Sequence, residues 1–437
     1  MSVSKEELKK RAIAAIDKKR DEIIALGDSI FNEPELGYKE FKTAEKVKKL
    51  FDELQYTYRD NVAITGVVAP LKGKESRVRV SVMGELDAVV VPSHPSADKE
   101  TGAAHACAHN CMIAALAGVA YALKDTGIME KLHGDVVLMA VPAEEYVEIE
   151  YRKKLIDEGK VTFVGGKQEF IKLGELDDID MVLMHHNENN KEGGQCATAG
   201  HTSNGFLGKL ITYHGKAAHA GGAPHLGINA LNAANLGLTA IAMQRETFKD
   251  GDYVRIHPII TKGGDLVNVV PDEVKIETYV RGANVDAIMD ANMKVDRALR
   301  AGADAIGATV TIFDLPGYLP FTMCNDLMDI CYENQKALLG DDKVTYEKPM
   351  LAGSTDAGDV SAIMPMLHCG IGGVTGTFHS MDVKIEDKEL AYITAAKCLV
   401  MTVIDLLADG AKEAIKVKEN YKPAMTKDAY LKEWGRI

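Results

Sequence analysis

Apolar residues recur at helical spacing over residues 5–31 (Leu8, Ile13, Ile16, Ile23, Ile24, Leu26, Ile30), which predicts a helix there. Asn32-Glu33-Pro34-Glu35-Leu36-Gly37 stops it, because Pro34 and Gly37 both oppose continuation. Short β-branched and apolar runs follow at 78–83, 136–141 and 181–184, with a glycine-broken fourth at 370–374. Helical stretches at 111–124 and 382–408 lie between or after them. Strands alternating with helices predict an α/β fold, a mainly parallel sheet with helices on both faces.

The pattern changes near residue 200. A strand at 206–213, a helix at 227–245, strands at 253–260 and 274–280, a helix at 285–303 and a strand at 309–315 follow one another. This β-α-β-β-α-β order predicts an inserted ferredoxin-like α+β domain. The expected division is a domain of 1–202 with 316–437, interrupted by a second domain of 203–315. A length of 437 residues, too great for one ordinary core, agrees with two domains. The Lys/Glu-rich tail from 410 reads as a solvated end.

Composition excludes more than it assigns. With 46% hydrophobic and 26% charged residues the chain reads as a soluble globular protein. No run of about 18 apolar residues is present, so no membrane span is expected. The N-terminal residues lack the apolar core of a signal peptide, which makes the cytoplasm the expected location. A net charge of −13 argues against nucleic-acid binding. Seven scattered cysteines do not form a secreted disulfide framework, and six of them read as reduced structural thiols.

Cys107 is the exception. It stands in Ala104-His105-Ala106-Cys107-Ala108-His109-Asn110, and Pro142-Ala143-Glu144-Glu145 comes about 35 residues later. Thiolate, imidazole and carboxylate together suit a borderline divalent metal such as zinc or manganese. Of the adjacent glutamates, one can bind metal while the other serves as a base toward water, which points to a metal-dependent hydrolase. The polar clusters follow strands: Glu85 and Asp87, then Glu144 and Glu145, then His185 and His186, then His379. Ligands gather beyond the carboxyl ends of strands in such sheets. Alternation lets only one of His185 and His186 face the site. Glu85 and Asp87 read as ligands, orienting groups or turn residues, with orientation favoured for Asp87.

These residues resemble the aminoacylase/carboxypeptidase family of two-metal metallopeptidases. They are most similar to its amidohydrolase branch, which includes N-acyl-amino-acid, indole-acetyl-amino-acid and aminobenzoyl-glutamate hydrolases. The resemblance covers nearly the whole chain. It runs through Pro34-Glu35-Leu36-Gly37 with Glu40, Glu85-Leu86-Asp87-Ala88, the Cys107 and Glu144 motifs, Gly215-Lys216-Ala217-Ala218-His219-Ala220 and Gly227-Ile228-Asn229-Ala230. Val267-Asn268-Val269-Val270-Pro271, Gly353-Ser354-Thr355-Asp356 and Phe378-His379-Ser380 complete it. The Asn110 and Ser354-Thr355-Asp356 forms lean towards the aminobenzoyl-glutamate subgroup.

The resemblance implies two divalent metal ions per subunit, manganese or zinc first, cobalt or nickel as alternatives. Their ligands would be Cys107, His109, Glu145, His186 and His379, with Cys107 bridging and His185 open as an alternative to His186. Glu144 would be the general base, and His219 would stabilise the tetrahedral oxyanion, often from the partner subunit. Asn268 and Arg281 would hold a substrate carboxylate, and the inserted domain would form a homodimer. The implied substrate is a small amide, an N-acyl amino acid or an aminobenzoyl-glutamate-like compound. The alternatives are a dipeptidase or aminopeptidase on the same scaffold and a non-catalytic ligand-binding dimer. Two departures stand out: Ala108 replaces the usual glycine, and a charged segment of 146–164 replaces a glycine-rich stretch.

Overall fold

The computed structural model describes residues 3–189, 194–347 and 349–435. By contact the chain forms two units. One comprises residues 1–202, 322–349 and 359–427; the other comprises 203–321, 350–358 and 428–437. The expected insert of 203–315 falls within the second unit, which also takes in the short stretch before Asp359 and the C-terminal helix.

The first unit is built on a nine-stranded sheet. Strand Arg79–Glu85 pairs in parallel with Asp135–Val141 on one side and Met181–Asn189 on the other. Met366–Thr375 continues the parallel set beside Met181–Asn189. Antiparallel strands Gly66–Leu71 and Ala197–Gly200 extend the sheet at its two sides. Asp135–Val141 is buried at every position, as a parallel strand covered on both faces should be, and this explains the unbroken apolar run over 136–141. The glycine-broken run at 370–374 belongs to the equally buried Met366–Thr375, longer than the sequence suggested.

Helix His109–Asp125 packs on strand Arg79–Glu85 and against helices Lys5–Lys18, Arg20–Phe31 and Ala395–Leu407. Ile113, Leu116 and Val119 are buried along it, and each such side chain contributes about 1.5–3 kcal/mol of hydrophobic stabilisation. The expected single helix of 5–31 is two helices joined at Lys19, whose backbone (φ −103°, ψ 14°) leaves the helical region. The stretch Glu389–Leu407 is long and apolar enough to cross a membrane by composition, with mean hydropathy 1.8, and 83% of it is buried in this core. The tail beyond 410 is a correction to the sequence reading. It forms helices Lys412–Asn420 and Lys427–Glu433, and Ala411, Ala414, Val417, Tyr430 and Trp434 are buried, so apolar residues spaced among the lysines anchor it.

The second unit carries an antiparallel sheet with the spatial order second, third, first and last strand, the ferredoxin-like arrangement. Gly205–His214 and Glu273–Gly282 are its long central pair. The strand expected at 253–260 is split into Arg255–Ile256 and Ile259–Lys262, because Pro258 has no N–H to give the ladder. Helices Ala230–Met243 and Val285–Ile306 pack together over this sheet. Asn229 and Asn284 cap them, each accepting from the backbone N–H three residues on.

Candidate metal centre

Cys107 lies between the short strand Ala103–Ala104 and helix His109–Asp125, so the fold presents it just before a helix start. Ala108 holds the intervening turn with φ 62°, a left-handed conformation that costs an alanine about 1–2 kcal/mol. Ala143 (φ 55°) and His379 (φ 62°) are in the same region of backbone space. Three strained turns beside three candidate donors show a site over-determined by its surroundings.

The sulfur of Cys107 lies 3.4 Å from Nε2 of His186. Nδ1 of His186 donates to the carbonyl of Asn187 at 2.7 Å, and Nδ1 of His109 donates to the carbonyl of Asp87 at 2.9 Å. A carbonyl can only accept, so both imidazoles carry a proton on Nδ1 and turn Nε2 towards the cluster. This is how metal-binding imidazoles are held. Donor atoms of Cys107, His109 and His186 lie within 4.8 Å of one another, and so do those of Cys107, Glu145 and His379. A third group joins Glu85, His109 and Glu144. Nε2 of His109 is 3.1 Å from Glu85 and 3.9 Å from Glu144, while Nε2 of His379 is 3.1 Å from Glu145.

Asp87 connects these pieces. Besides its carbonyl bond to His109, its Oδ2 accepts from the backbone N–H of Glu145 at 2.9 Å. Glu85 forms an ion pair with Lys167, and both are buried. Glu85 Oε2, Asp87 Oδ1, His109 Nε2 and Glu145 Oε1 are buried atoms that face imidazoles and carboxylates of the cluster without a well-formed hydrogen bond. Buried polar atoms are nearly always satisfied. A convergent set of thiol, imidazole and carboxylate atoms left in this state fits a borderline divalent cation.

The electrostatics agree. Burial and Glu145 push the Cys107 thiol up, but His186 and His109 outweigh them and bring it down to about 6. Glu145's charge raises His379 to about 11 against the effect of burial. Burial works against ionised Glu145, yet His379 and His109 hold it down at about 2. Burial likewise opposes the charge on His109, and Glu85 and Cys107 raise it well above the ordinary value.

His186 faces the cluster, while its neighbour His185 is fully buried on the other side of the strand, where desolvation lowers it to about 3. Both lie within strand Met181–Asn189, not beyond its end as the sequence suggested. His219, Asn268 and Arg281 belong to the second unit. There Nδ1 of His219 accepts from the N–H groups of Gly221 and Gly222 at 3.2 and 3.0 Å, so its proton sits on an outward Nε2. Arg281 donates to His257 at 3.1 Å and to Ser354 at 2.7 Å, and stacks over Phe206 and Tyr279. Asn268 is exposed and its carbonyl accepts from Ala220 N–H at 2.9 Å.

Sequence reasoning missed Lys167 and Arg152. Arg152 sits in the charged segment of 146–164 and Lys167 just beyond it, and only the fold buries them.

The chain matches the model of peptidase family M20/M25/M40 over residues 82–404. It is 27% identical to the Xaa-Arg dipeptidase of Mus musculus, over 94% of this chain and 93% of that one. It is 28% identical to the N-acetyl-L-cysteine deacetylase of Bacillus subtilis, over 60% of this chain and 59% of that one. Among solved structures, a dinuclear metal-binding peptidase of the same family from Bacillus subtilis superimposes with a TM-score of 0.66 at 21% identity, covering 90% of this chain and 99% of that one. The protein therefore belongs to peptidase family M20/M25/M40 and is a metal-dependent hydrolase of amide bonds.

Proposed function

We propose that the protein cleaves the amide bond between an acyl group and an amino acid that keeps its free carboxylate. The observation that carries this reading is the pair of donor sets sharing the Cys107 sulfur, with Glu144 beside them. Cys107, His109, Glu145, His186 and His379 would hold two divalent ions, manganese or zinc ahead of cobalt or nickel. Such ions, when bound, supply Lewis acidity and make water acidic near neutral pH. The dinuclear relative supports the number of ions.

Glu144 takes the proton of the attacking water as the new C–O bond forms. It then delivers that proton to the amide nitrogen as the C–N bond breaks, which releases a neutral amine. His219, with its proton on Nε2, is suited to donate to the oxyanion, a contact worth about 3 kcal/mol when such donors are removed. Arg281, already fixed by Ser354 and His257, and the exposed Asn268 are the proposed holders of the substrate carboxylate.

N-acyl amino acids and aminobenzoyl-glutamate-like compounds are the leading substrates. Dipeptides are the second reading, supported by the Xaa-Arg dipeptidase that aligns over 94% of the chain. Both place an amino acid on the leaving side. The proposal includes a homodimer through the second unit, whose surface exposes Met243, Met293 and Ile259, and a cytoplasmic location. The test is amine release by manganese- or zinc-loaded protein across acetyl- and aromatic-acyl amino acids, aminobenzoyl-glutamate and free-amine dipeptides. Turnover of acylated members supports the leading reading, and turnover of dipeptides alone selects the second. Silence across the panel with metal bound overturns both.

A further inference from the structure

The segment Pro34-Glu35-Leu36-Gly37-Tyr38-Lys39-Glu40 carries a motif of the resemblance, yet none of its side chains joins the donor groups around Cys107. Its contacts go instead to the turn that bears Glu144. Glu40 is 0% exposed; Oε1 accepts from the backbone N–H of Ala143 at 2.8 Å and Oε2 accepts from Thr65 Oγ1 at 2.6 Å. Arg152 is also 0% exposed, and its Nη1 donates to the carbonyls of Val164 at 2.9 Å and Ala143 at 3.4 Å. The N–H of Gly166 reaches the same Ala143 carbonyl at 3.1 Å. Gly37 makes the approach feasible: a Cβ there would meet Arg152 Nη2 at 2.3 Å and Ala143 Cα at 2.9 Å. The carbonyl of Glu35 accepts from Ala88 N–H at 2.8 Å, bracing the neighbouring turn after Asp87.

Ala143 immediately precedes Glu144 and has φ 55°, a conformation that alanine keeps only under constraint. Both of its backbone polar groups are engaged, the N–H by a Glu40 carboxyl oxygen and the carbonyl by a guanidinium and an amide. The bond from the guanidinium is charge-assisted, and bonds of this kind are the stronger ones. Arg152 comes from the 146–164 segment, where the chain departs from the glycine-rich pattern, so the departure itself contributes part of the support.

We propose that Glu40 and Arg152 are positioning residues for amide hydrolysis, fixing the left-handed turn at Ala143 and so the aim of the Glu144 carboxylate. The proposal rests on Glu144 as general base. The experiment measures kcat, KM and bound metal for Glu40→Ala, Glu40→Gln and Arg152→Met, each alone and combined with Glu144→Gln. Glu40→Ala and Arg152→Met are expected to lower kcat about 10- to 100-fold, the scale of an ångström's misplacement, with KM and metal content retained. Glu40→Gln recovers most of the rate, because its amide oxygen accepts from Ala143 N–H while its NH2 donates to Thr65 Oγ1. On the Glu144→Gln background, Glu40→Ala removes no more than about twofold further, since it acts through the group already lost.

Wild-type kcat in both Glu40→Ala and Arg152→Met, with Glu144→Gln inactive, overturns the positioning role and leaves the base in place. Full activity of Glu144→Gln removes the base, and the positioning role with it. Loss of metal, or an undiminished loss of rate on the Glu144→Gln background, makes the two residues purely structural and overturns the proposal. Should Glu40→Ala not fold, Thr65→Val releases Oε2 of Glu40 without changing shape. It is expected to lower kcat about 3- to 10-fold, the loss of one hydrogen bond, and an unchanged kcat there and in Arg152→Met overturns the proposal equally.

Discussion

Cysteine-centred donors gather at two places in the first unit, and within each donor group the candidate ligand atoms lie within 4.8 Å of one another. One surrounds Cys107; the other joins Cys331, Cys369 and Cys398, with 3.7 Å between the sulfurs of Cys331 and Cys398. Around Cys107 stand imidazoles and carboxylates, and the thiol is drawn down to about 6. The three other cysteines sit in the main hydrophobic core, where contacts with neighbouring thiols and burial hold Cys331 and Cys369 well above their ordinary value, while Cys398, accepting from both, is drawn below it. Proximity is the same; charge is not. A thiolate needs a compensated environment, and around Cys331 and Cys369 the core offers only other thiols and apolar packing in its place.

The largest test of this difference is Glu144→Gln. It should reduce kcat by about 10³-fold or more with metal content intact in a metal analysis, because it removes a proton acceptor and no ligand. Full activity would take the base away from the Cys107 site. Cys107→Ala should come next, with bound metal reduced by at least one ion per chain and activity lost with it. Unchanged metal content would break the comparison outright. In metal-stripped protein, alkylation of Cys107 should rise with pH around a midpoint near 6, since the thiolate is the nucleophile and exists above that value. Cys331 and Cys369 should stay silent over that range, and mass mapping of the labelled sites decides it.

Cys331→Ala should cost about 1–2 kcal/mol in denaturant unfolding, the loss of one buried atom and its contacts, with metal and kcat unchanged. The smallest effect belongs to Ala108→Gly. Relief of the left-handed strain offsets the lost methyl and the looser unfolded chain, so stability should move by no more than about 0.5 kcal/mol. A loss above about 2 kcal/mol would show that the Ala108 methyl matters to packing more than the backbone strain does.

Much of the fold was legible because its signals are local. Apolar runs ending in polar clusters located the central strands. The strand order of the sheet was not legible, since Arg79–Glu85 pairs with partners more than fifty residues away. Pro258 stands between apolar residues whose strand signal runs across the point where its missing N–H interrupts the pairing.

By itself the sequence determined which chemical groups the chain can offer: one thiolate-capable cysteine among histidines and paired glutamates, spaced so that successive strands carry them. That information resides in residue type and short spacing, which survive without the fold. Only the tertiary structure decided which groups meet. It turned His186 and not His185 to the cluster through the side-to-side alternation of an extended strand. It buried Lys167 against Glu85 and Glu40 against Ala143, pairs 82 and 103 residues apart. It also separated the Cys107 thiol from three others of identical chemistry. The reason is that burial and charge compensation are properties of surroundings, and a side chain's surroundings come mostly from residues distant in sequence.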